Sequence, residues 1–285
     1  MRIDSHQHFW DPARGDYGWL EALEGEAARR LRRPILPAEL APQLAQARID
    51  STVLVQAAPS EAEAAFLLAL ADQHDFIAGV VVWLDMEAAD FEQRLSRLQQ
   101  HPRFVGVRPM IHDLPDPEWM LRPSVRRAFA VLEARDVCFD FLVRPAHLPP
   151  LLRTLGEFPR LRAVLDHIGK PEIRARQWEP WSAQLKAISE HPNVFCKLSG
   201  MVTEASHERW QPADLQPYVR HVLECFTPAR CMYGSDWPVC TLAGSYAQVL
   251  AALEQALGQL DALAHARIFG GAAAEFYRLS PPSSH

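Results

Sequence analysis

The sequence lacks the features that mark several classes of protein. It has no C-x-x-C pair, and its five cysteines are an odd number, so we expect free thiols in a reducing compartment. No apolar run approaches the roughly 18 residues of a membrane-spanning helix, so we predict none and expect no membrane partner. The polar opening Met-Arg-Ile-Asp-Ser-His is unlike a secretory signal. We therefore expect a cytoplasmic protein.

The chain also lacks a basic tract. Its 285 residues include 29 basic and 35 acidic side chains, for a net charge of −6, which argues against a nucleic-acid partner. Apolar residues make up 48% and charged residues 22%, as in ordinary globular proteins, and this excludes intrinsic disorder. No linker, repeat or low-complexity segment divides the chain, so we predict a single domain over residues 1–285 and leave open a homo-oligomer.

Short apolar runs rich in β-forming residues recur eight times between helical patterns. Most are continuous, which is typical of strands buried on both faces of a parallel sheet. The predicted strands lie near residues 2–6, 52–56, 77–84, 104–109, 138–143, 163–167, 194–199 and 231–236. Eight alternations of strand and helix favour an α/β fold of the (β/α)₈ TIM-barrel class. An open doubly wound sheet is the alternative, although no G-x-G-x-x-G follows the first strand.

Two segments outside the strands carry local signals. Residues 9–37, directly after the first strand, are predicted to form a long irregular loop containing Trp10, Tyr17 and Trp19, and such loops commonly act as lids. Ser60-Glu61-Ala62-Glu63 matches a capping box, in which the first and fourth side chains each bond the other's backbone N–H, at the start of a helix.

Polar side chains follow many of the predicted strands. In a parallel barrel, residues at the carboxyl ends of the strands face one shared site. This test selects His6, His8, Gln56, Arg108, Arg144, Asp166, His167, Lys197, Asp236 and Trp237. So many ionisable groups at strand ends are hard to explain as core packing, since burying them unpaired is costly.

His6-Gln7-His8 and Asp236 together predict a metal site. Residues i and i+2 of a strand leave the same face, so the two imidazoles can bind one ion. Asp236 ends the eighth strand, which closes the barrel beside the first, and there it can act as a ligand, a general base or both. The alternatives are two hydrogen-bonded histidines in a polar pocket and an aspartate that caps the segment before Pro238.

Four of these side chains have more than one possible role in the site. His167 is either a third metal ligand or a donor to a substrate carbonyl. Lys197 lies inside an apolar strand, and a buried ammonium needs an anion or a hydroxyl as partner. Arg108 orients a substrate or pairs with a neighbouring carboxylate, and the same two options hold for Arg144.

Taken together, these motifs resemble the amidohydrolase superfamily, in its branch of sugar and dicarboxylate lactonases, and most of all enzymes of the L-fuconolactonase type. The resemblance spans essentially the whole chain. It rests on the opening Met1-Arg-Ile-Asp-Ser-His-Gln-His-Phe-Trp10, Tyr17-Gly-Trp19, Leu165-Asp-His-Ile-Gly-Lys-Pro171, Lys197-Leu-Ser-Gly200 and Tyr233-Gly-Ser-Asp-Trp-Pro238.

The resemblance implies hydrolysis of a sugar-acid lactone, of the L-fucono- or L-galactono-lactone type, by an activated water. Asp236 would be the base and His167 would polarise the carbonyl, aided by one divalent ion, zinc, on His6, His8 and Asp236. The substrate's hydroxyls and ring would be held by Gln56, Trp83, Arg108, Arg144, Lys197 and Trp237.

The sequence leaves open whether a metal is needed and which reaction is catalysed. Lys197 stands where the wider superfamily has another histidine, so a two-metal site is not expected, and some relatives work without any metal. The alternatives are hydrolysis of a dicarboxylate lactone, a metal-dependent decarboxylase, and a barrel that binds sugar acids without turnover.

Overall fold

A parallel eight-stranded barrel forms the centre of the protein. The structure, a computed structural model, describes residues 1–280. The strands are β1 (Ile3–Gln7), β2 (Ser51–Val55), β3 (Ile77–Val82), β4 (Phe104–Val107), β5 (Cys138–Phe141), β6 (Ala163–Leu165), β7 (Val194–Leu198) and β8 (Cys231–Tyr233). Each strand pairs in parallel with the next along the chain. The prediction of eight strands in a single-domain (β/α)₈ barrel is therefore confirmed.

The barrel closes between the end of β1 and the residues that follow β8. The Asp236 amide donates to the His6 carbonyl at 2.8 Å, and the His8 amide donates to the Trp237 carbonyl at the same distance. These bonds continue the parallel pairing beyond the end of β8, with Gln7 and Trp237 as paired residues. As a result, the side chains of His6, His8 and Asp236 emerge from one seam.

Helices surround the sheet. Between residues 1 and 280 they are α1 (Gly18–Glu21), α2 (Gly25–Leu31), α3 (Pro37–Ala47), α4 (Glu61–Gln73), α5 (Phe91–Leu98), α6 (Pro123–Ala134), α7 (Leu148–Glu157), α8 (Trp181–Ser189), α9 (Met201–Glu204), α10 (Pro212–Phe226), α11 (Tyr246–Leu257), α12 (Ala262–Ala266) and α13 (Ala272–Tyr277). Within this part of the chain, none of the helices has the length and apolar character needed to cross a membrane.

The segment at residues 9–37 is more ordered than its sequence predicts. It contains α1 and α2, and the backbones of Trp10 and Ile35 exchange hydrogen bonds of 3.0 and 2.9 Å. The Trp10 indole donates to the Leu31 carbonyl at 2.9 Å. The expectation of an irregular loop was wrong, because these contacts satisfy the backbone locally and bury Trp10 and Leu31 completely.

The interior of the barrel changes from apolar to charged along the strands. An apolar layer near their amino ends packs against α13 and contains Ile3, Val53, Val81, Cys138, Val164, Phe195 and Met232. Asp140, Asp166 and Lys197 each lie two residues beyond a member of this layer. Because side chains alternate along a strand, these three charges also face the interior, closer to the carboxyl ends.

The start of α4 confirms half of the predicted capping box. The Ser60 hydroxyl accepts the Glu63 amide at 3.2 Å, as an N-cap residue should. The Glu63 carboxylate, however, does not return to Ser60. It accepts the backbone amides of Ala57 at 3.0 Å and Ala58 at 2.9 Å, and it is fully buried. This helix thereby holds the loop that follows β2 in place beneath the mouth of the barrel.

Candidate active site

A cavity of about 320 Å³ opens at the carboxyl ends of the strands. This volume is at the lower end of the range for small-molecule sites, roughly 300–1,000 Å³. Its lining includes His8, Arg108, His112, His167, Lys170 and Asp236. Trp10, Trp19 and Leu23 from the segment at residues 9–37 complete the wall. The indole of Trp19 donates to the Ala57 carbonyl at 2.7 Å, which ties that segment to the loop after β2.

Three imidazoles face one carboxylate oxygen in this cavity. Oδ1 of Asp236 lies 3.3 Å from Nε2 of His8, 3.8 Å from Nε2 of His6 and 3.9 Å from Nε2 of His167. Potential ligand atoms of His6, His167 and Asp236 all lie within 4.8 Å of one another. The structure thus groups His167 with His6 and Asp236 as possible metal ligands. The sequence predicted His6, His8 and Asp236 as the ligands and gave His167 two alternative roles.

Hydrogen bonds on the far side of the rings orient the imidazoles. Nδ1 of His8 lies 2.8 Å from the Val55 carbonyl and donates to it, while Nε2 of the same ring faces Asp236. Nδ1 of His167 is hydrogen-bonded to the Ser199 hydroxyl at 2.8 Å. Partners of this kind fix the ring orientation that a metal ligand or an acid–base group needs.

The backbone that presents these groups is strained. His167 has φ 53°, and the next residue, Ile168, has φ 50°, although left-handed backbone is unfavourable for a β-branched side chain. Asp236 has φ 58°. The Trp181 indole, donating to the Ile168 carbonyl at 2.8 Å, helps to hold the first of these turns. Non-glycine residues held in this region cost about 1–3 kcal/mol each, and such residues cluster at functional sites.

Burial keeps the imidazoles of His6 and His167 uncharged. Loss of solvent lowers the pKa of His6 well below its ordinary value, and the Lys197 ammonium lowers it further. Loss of solvent likewise lowers the pKa of His167, although Asp236 opposes the shift. For Asp236 burial favours the neutral acid, but His167 and His8 outweigh it and lower the pKa of the carboxyl group. At neutral pH the imidazoles of His6 and His167 are therefore neutral and lie beside the Asp236 carboxylate.

A buried network of charges lies beneath His6. The Lys197 ammonium is 2.6 Å from Asp140 Oδ2, 3.0 Å from Asp166 Oδ1 and 3.1 Å from Nδ1 of His6. The Arg108 guanidinium donates to Asp166 Oδ2 at 3.1 Å. Two cations thus balance two carboxylates, and each of the four side chains is nearly or completely inaccessible to solvent. This is the arrangement that buried charges require, and it surrounds the imidazole of His6.

Four of the side chains predicted to bind substrate lie at or directly behind the cavity wall. Arg108 lines the cavity, whereas Gln56, Lys197 and Trp237 are buried behind its wall. The side-chain amide of Gln56 donates to the backbone carbonyl of Arg108 at 2.7 Å. The backbone carbonyl of Gln56 in turn accepts a hydrogen bond from the Arg108 guanidinium. Gln56 and Lys197 therefore support the residues that face the cavity.

Two other predicted residues lie outside the cavity. Trp83 lines a neighbouring depression of about 630 Å³, which shares Trp19, Met110 and Asp113 with the first. Arg144 is exposed to solvent. A direct contact of either residue with substrate remains a prediction.

The sequence analysis did not select Asp140, although its position within an apolar strand could have identified it. It is a carboxylate within the apolar strand Cys138–Phe141, the same pattern that drew attention to Lys197. Ser199 was missed as well, although it follows Lys197 by two residues and therefore leaves the strand on the same side.

The chain belongs to the amidohydrolase family, because the family model described as Amidohydrolase matches residues 3–279. It is 40% identical to an L-fucono-1,5-lactonase of Burkholderia ambifaria, over 99% of this chain and 97% of that protein. It is 35% identical to an L-fucono-1,5-lactonase of Burkholderia multivorans, over 99% and 98% of the two chains.

A solved structure agrees with this fold over nearly the full length. It is an amidohydrolase from Burkholderia multivorans with bound zinc, 34% identical, with a TM-score of 0.91, covering 98% of this chain and 100% of that one. The donor atoms of His6, His167 and Asp236 suit such an ion, since neutral imidazole nitrogens and a carboxylate oxygen are ligands that zinc commonly takes. The family and the donor set together indicate a site for a divalent metal.

Proposed function

We propose that this protein hydrolyses the ester bond of a sugar-acid lactone, of the L-fucono- or L-galactono-lactone type. The observation that carries the proposal is the Asp236 carboxylate, which lies among three imidazoles in a cavity large enough for one sugar ring. The two lactonases that are 40% and 35% identical support this reaction. They do not favour decarboxylation, the alternative drawn from the sequence.

The proposed metal is one zinc ion. Asp236 and His6 would hold it, with His8 or His167 as a further nitrogen ligand. A zinc ion bound by these residues would act as a Lewis acid and would lower the pKa of a bound water to about 7. The zinc-bound neighbour of known structure supports the choice of metal.

Asp236 moves the proton in the proposed reaction. Its carboxylate accepts a proton from water as the water oxygen forms a bond to the lactone carbonyl carbon. The bond between that carbon and the ring oxygen then breaks, and Asp236 returns the proton to the departing alkoxide. The products are the open hydroxy acid and the free enzyme, so atoms and charge balance without a further reactant.

Arg108 stabilises the negative charge that develops on the carbonyl oxygen. Arg108 lies in the cavity wall with its guanidinium held by Asp166 and the Gln56 carbonyl. A donor that is already held in place costs no reorganisation when the oxyanion forms. Nε2 of His167 lies 3.9 Å from the Asp236 carboxylate, where it would either contact the metal or polarise the carbonyl.

The segment at residues 9–37 would act as a lid. Trp10, Trp19 and Leu23 supply an apolar wall to a cavity that also holds polar side chains, which suits the C–H face of a sugar ring and excludes water. We also propose a cytoplasmic location, since all five cysteines are free in the structure.

Sugar lactones should be much better substrates than simple lactones. A site built to hydrogen-bond hydroxyl groups rejects analogues without them by up to about 10⁴-fold. We expect kcat/KM for L-fucono- or L-galactono-lactones to exceed that for unsubstituted butyrolactone by a large factor. Proton release measured over a panel of sugar, dicarboxylate and simple lactones tests this. Preference for a long acyl lactone would contradict the sugar assignment and leave lactone hydrolysis standing.

Gly200→Ala should impair turnover by displacing His167. A Cβ at position 200 would lie 2.4 Å from Nδ1 of His167, and the backbone there has φ +61°, which favours glycine. Because a displacement of about 1 Å can cost about 10²-fold in rate, we expect a loss of that order in kcat.

A second glycine supplies the control for this substitution. No atom lies within 4 Å of a Cβ built at Gly156 in α7, so Gly156→Ala should leave kcat unchanged. Equal kcat values for the wild type and Gly200→Ala would show that the close approach to His167 has no part in catalysis.

A further inference from the structure

The ring of His6 lies between two cations. Nη1 of Arg108 is 3.3 Å from its Nε2, and the Lys197 ammonium is 3.1 Å from its Nδ1. Both cations are hydrogen-bond donors only, whereas a neutral imidazole offers a single lone pair. The ring can therefore satisfy only one of them. Nε2 is also the nitrogen that faces Asp236, and so the one that a shared metal ion would use.

A metal ion on Nε2 requires that the lone pair lie on that nitrogen, with the ring proton on Nδ1. In that form of the ring the Lys197 ammonium keeps the carboxylates of Asp140 and Asp166, at 2.6 and 3.0 Å, as its charge partners. Nη1 of Arg108 carries two hydrogens, of which one goes to Asp166 Oδ2 and the other has His6 Nε2 as acceptor. With the proton on Nδ1, the imidazole turns its own N–H toward Asp166 Oδ1 at 3.5 Å.

Arg108 is not free to withdraw from His6. Its second terminal nitrogen donates to the Gln56 carbonyl, and its backbone carbonyl accepts from the Gln56 amide at 2.7 Å. Only 2% of the residue is exposed. A divalent ion on His6 would therefore displace a hydrogen bond and come to rest close to a guanidinium that stays where it is, and like charges at short range repel strongly inside a protein.

We propose that Arg108 competes with the divalent metal for Nε2 of His6. The guanidinium weakens metal binding. When no ion is bound, it is itself the positive charge beside Nε2 of His6. This inference rests on the metal site proposed above. It concerns the affinity of that site and holds for any lactone the protein hydrolyses.

Zinc affinity of Arg108 variants tests the competition. Metal-free wild type, Arg108→Met and Arg108→Lys are titrated with zinc against a chromophoric chelator. We expect Arg108→Met to bind one zinc ion about 10-fold or more tightly than wild type. Loss of a supporting partner of a metal ligand weakens binding by about 10–100-fold, and loss of a competing cation should act in the opposite direction. Arg108→Lys keeps the charge and should stay close to wild type. Arg127→Met, which removes an exposed arginine from α6, is the matched control and should not change the affinity.

Several results would overturn the proposal: equal affinity in wild type and Arg108→Met, the same gain in Arg127→Met, or no zinc binding by any of these proteins. Circular dichroism shows whether each variant is folded. If Arg108→Met is not, Arg108→Gln takes its place, because it keeps donors for Asp166 without the charge. Proton release from sugar lactones is measured separately, so a failure of the proposed reaction is distinguishable from a failure of this inference.

Discussion

Replacing Asp236 with asparagine is expected to lower kcat for lactone hydrolysis by about 10²–10⁴-fold while the protein remains folded. The amide keeps the shape of the side chain but cannot take a proton from water. Asparagine also tolerates the left-handed backbone that this position requires, with φ 58°. Proton release under saturating substrate measures the change in kcat, and thermal unfolding followed by circular dichroism checks the fold.

Asp261→Asn is the matched control for this experiment. Asp261 is exposed and caps α12 by accepting the Ala264 amide at 2.7 Å, a role that asparagine fills equally well. The same change from carboxylate to amide should leave kcat unaltered there. Near-normal turnover by a folded Asp236→Asn protein would remove Asp236 from the chemistry and assign the base to another group.

The architecture was predictable because burial on both sides of a parallel sheet leaves a strong pattern. Continuous apolar runs separated by helical spacing located all eight strands, and the polar side chains at their carboxyl ends identified the mouth of the barrel. His6, His8, His167 and Asp236 converge there because the strands do, and not because of any local motif.

Side-chain partners were less predictable, because they depend on how the barrel closes. The sequence indicated that Lys197 needs an anion, but it did not reveal that Asp140 and Asp166 supply two. Strand register decides which interior positions meet, and register is set by contacts between strands far apart in the sequence. The same limit applies to Glu63, which matches a capping box and yet bonds the amides of Ala57 and Ala58.

Residues beyond the strand ends were the hardest to place. Trp83 and Arg144 both follow buried strands, but the loops turn one toward the neighbouring depression and the other into solvent. The direction of a side chain in a loop depends on backbone angles that composition does not determine. The ordered helices within residues 9–37 escaped prediction for a related reason, since much of their apolar surface is buried against the barrel mouth.

Lys197→Met is expected to destabilise the protein by about 3–5 kcal/mol, because it removes the cation from a buried pair and leaves its carboxylates without compensation. Asp140 and Asp166 are both inaccessible to solvent, and methionine has nearly the length of lysine without its charge. The measurement is the shift in the urea midpoint of unfolding at neutral pH. Lys186→Met on the exposed face of α8 removes the same charge at the surface and should shift the midpoint little.

The double variant Lys197→Met/Asp140→Asn separates charge from packing. It removes one cation and one anion, so Asp166 keeps Arg108 at 3.1 Å and the network is again balanced. We expect the double variant to be more stable than Lys197→Met alone by about 1 kcal/mol or more, since residues in one ion-pair network couple by about 0.5–3 kcal/mol. If the second substitution instead adds its own full cost, the loss in Lys197→Met reflects packing, and the charge balance beneath His6 does not stabilise the fold.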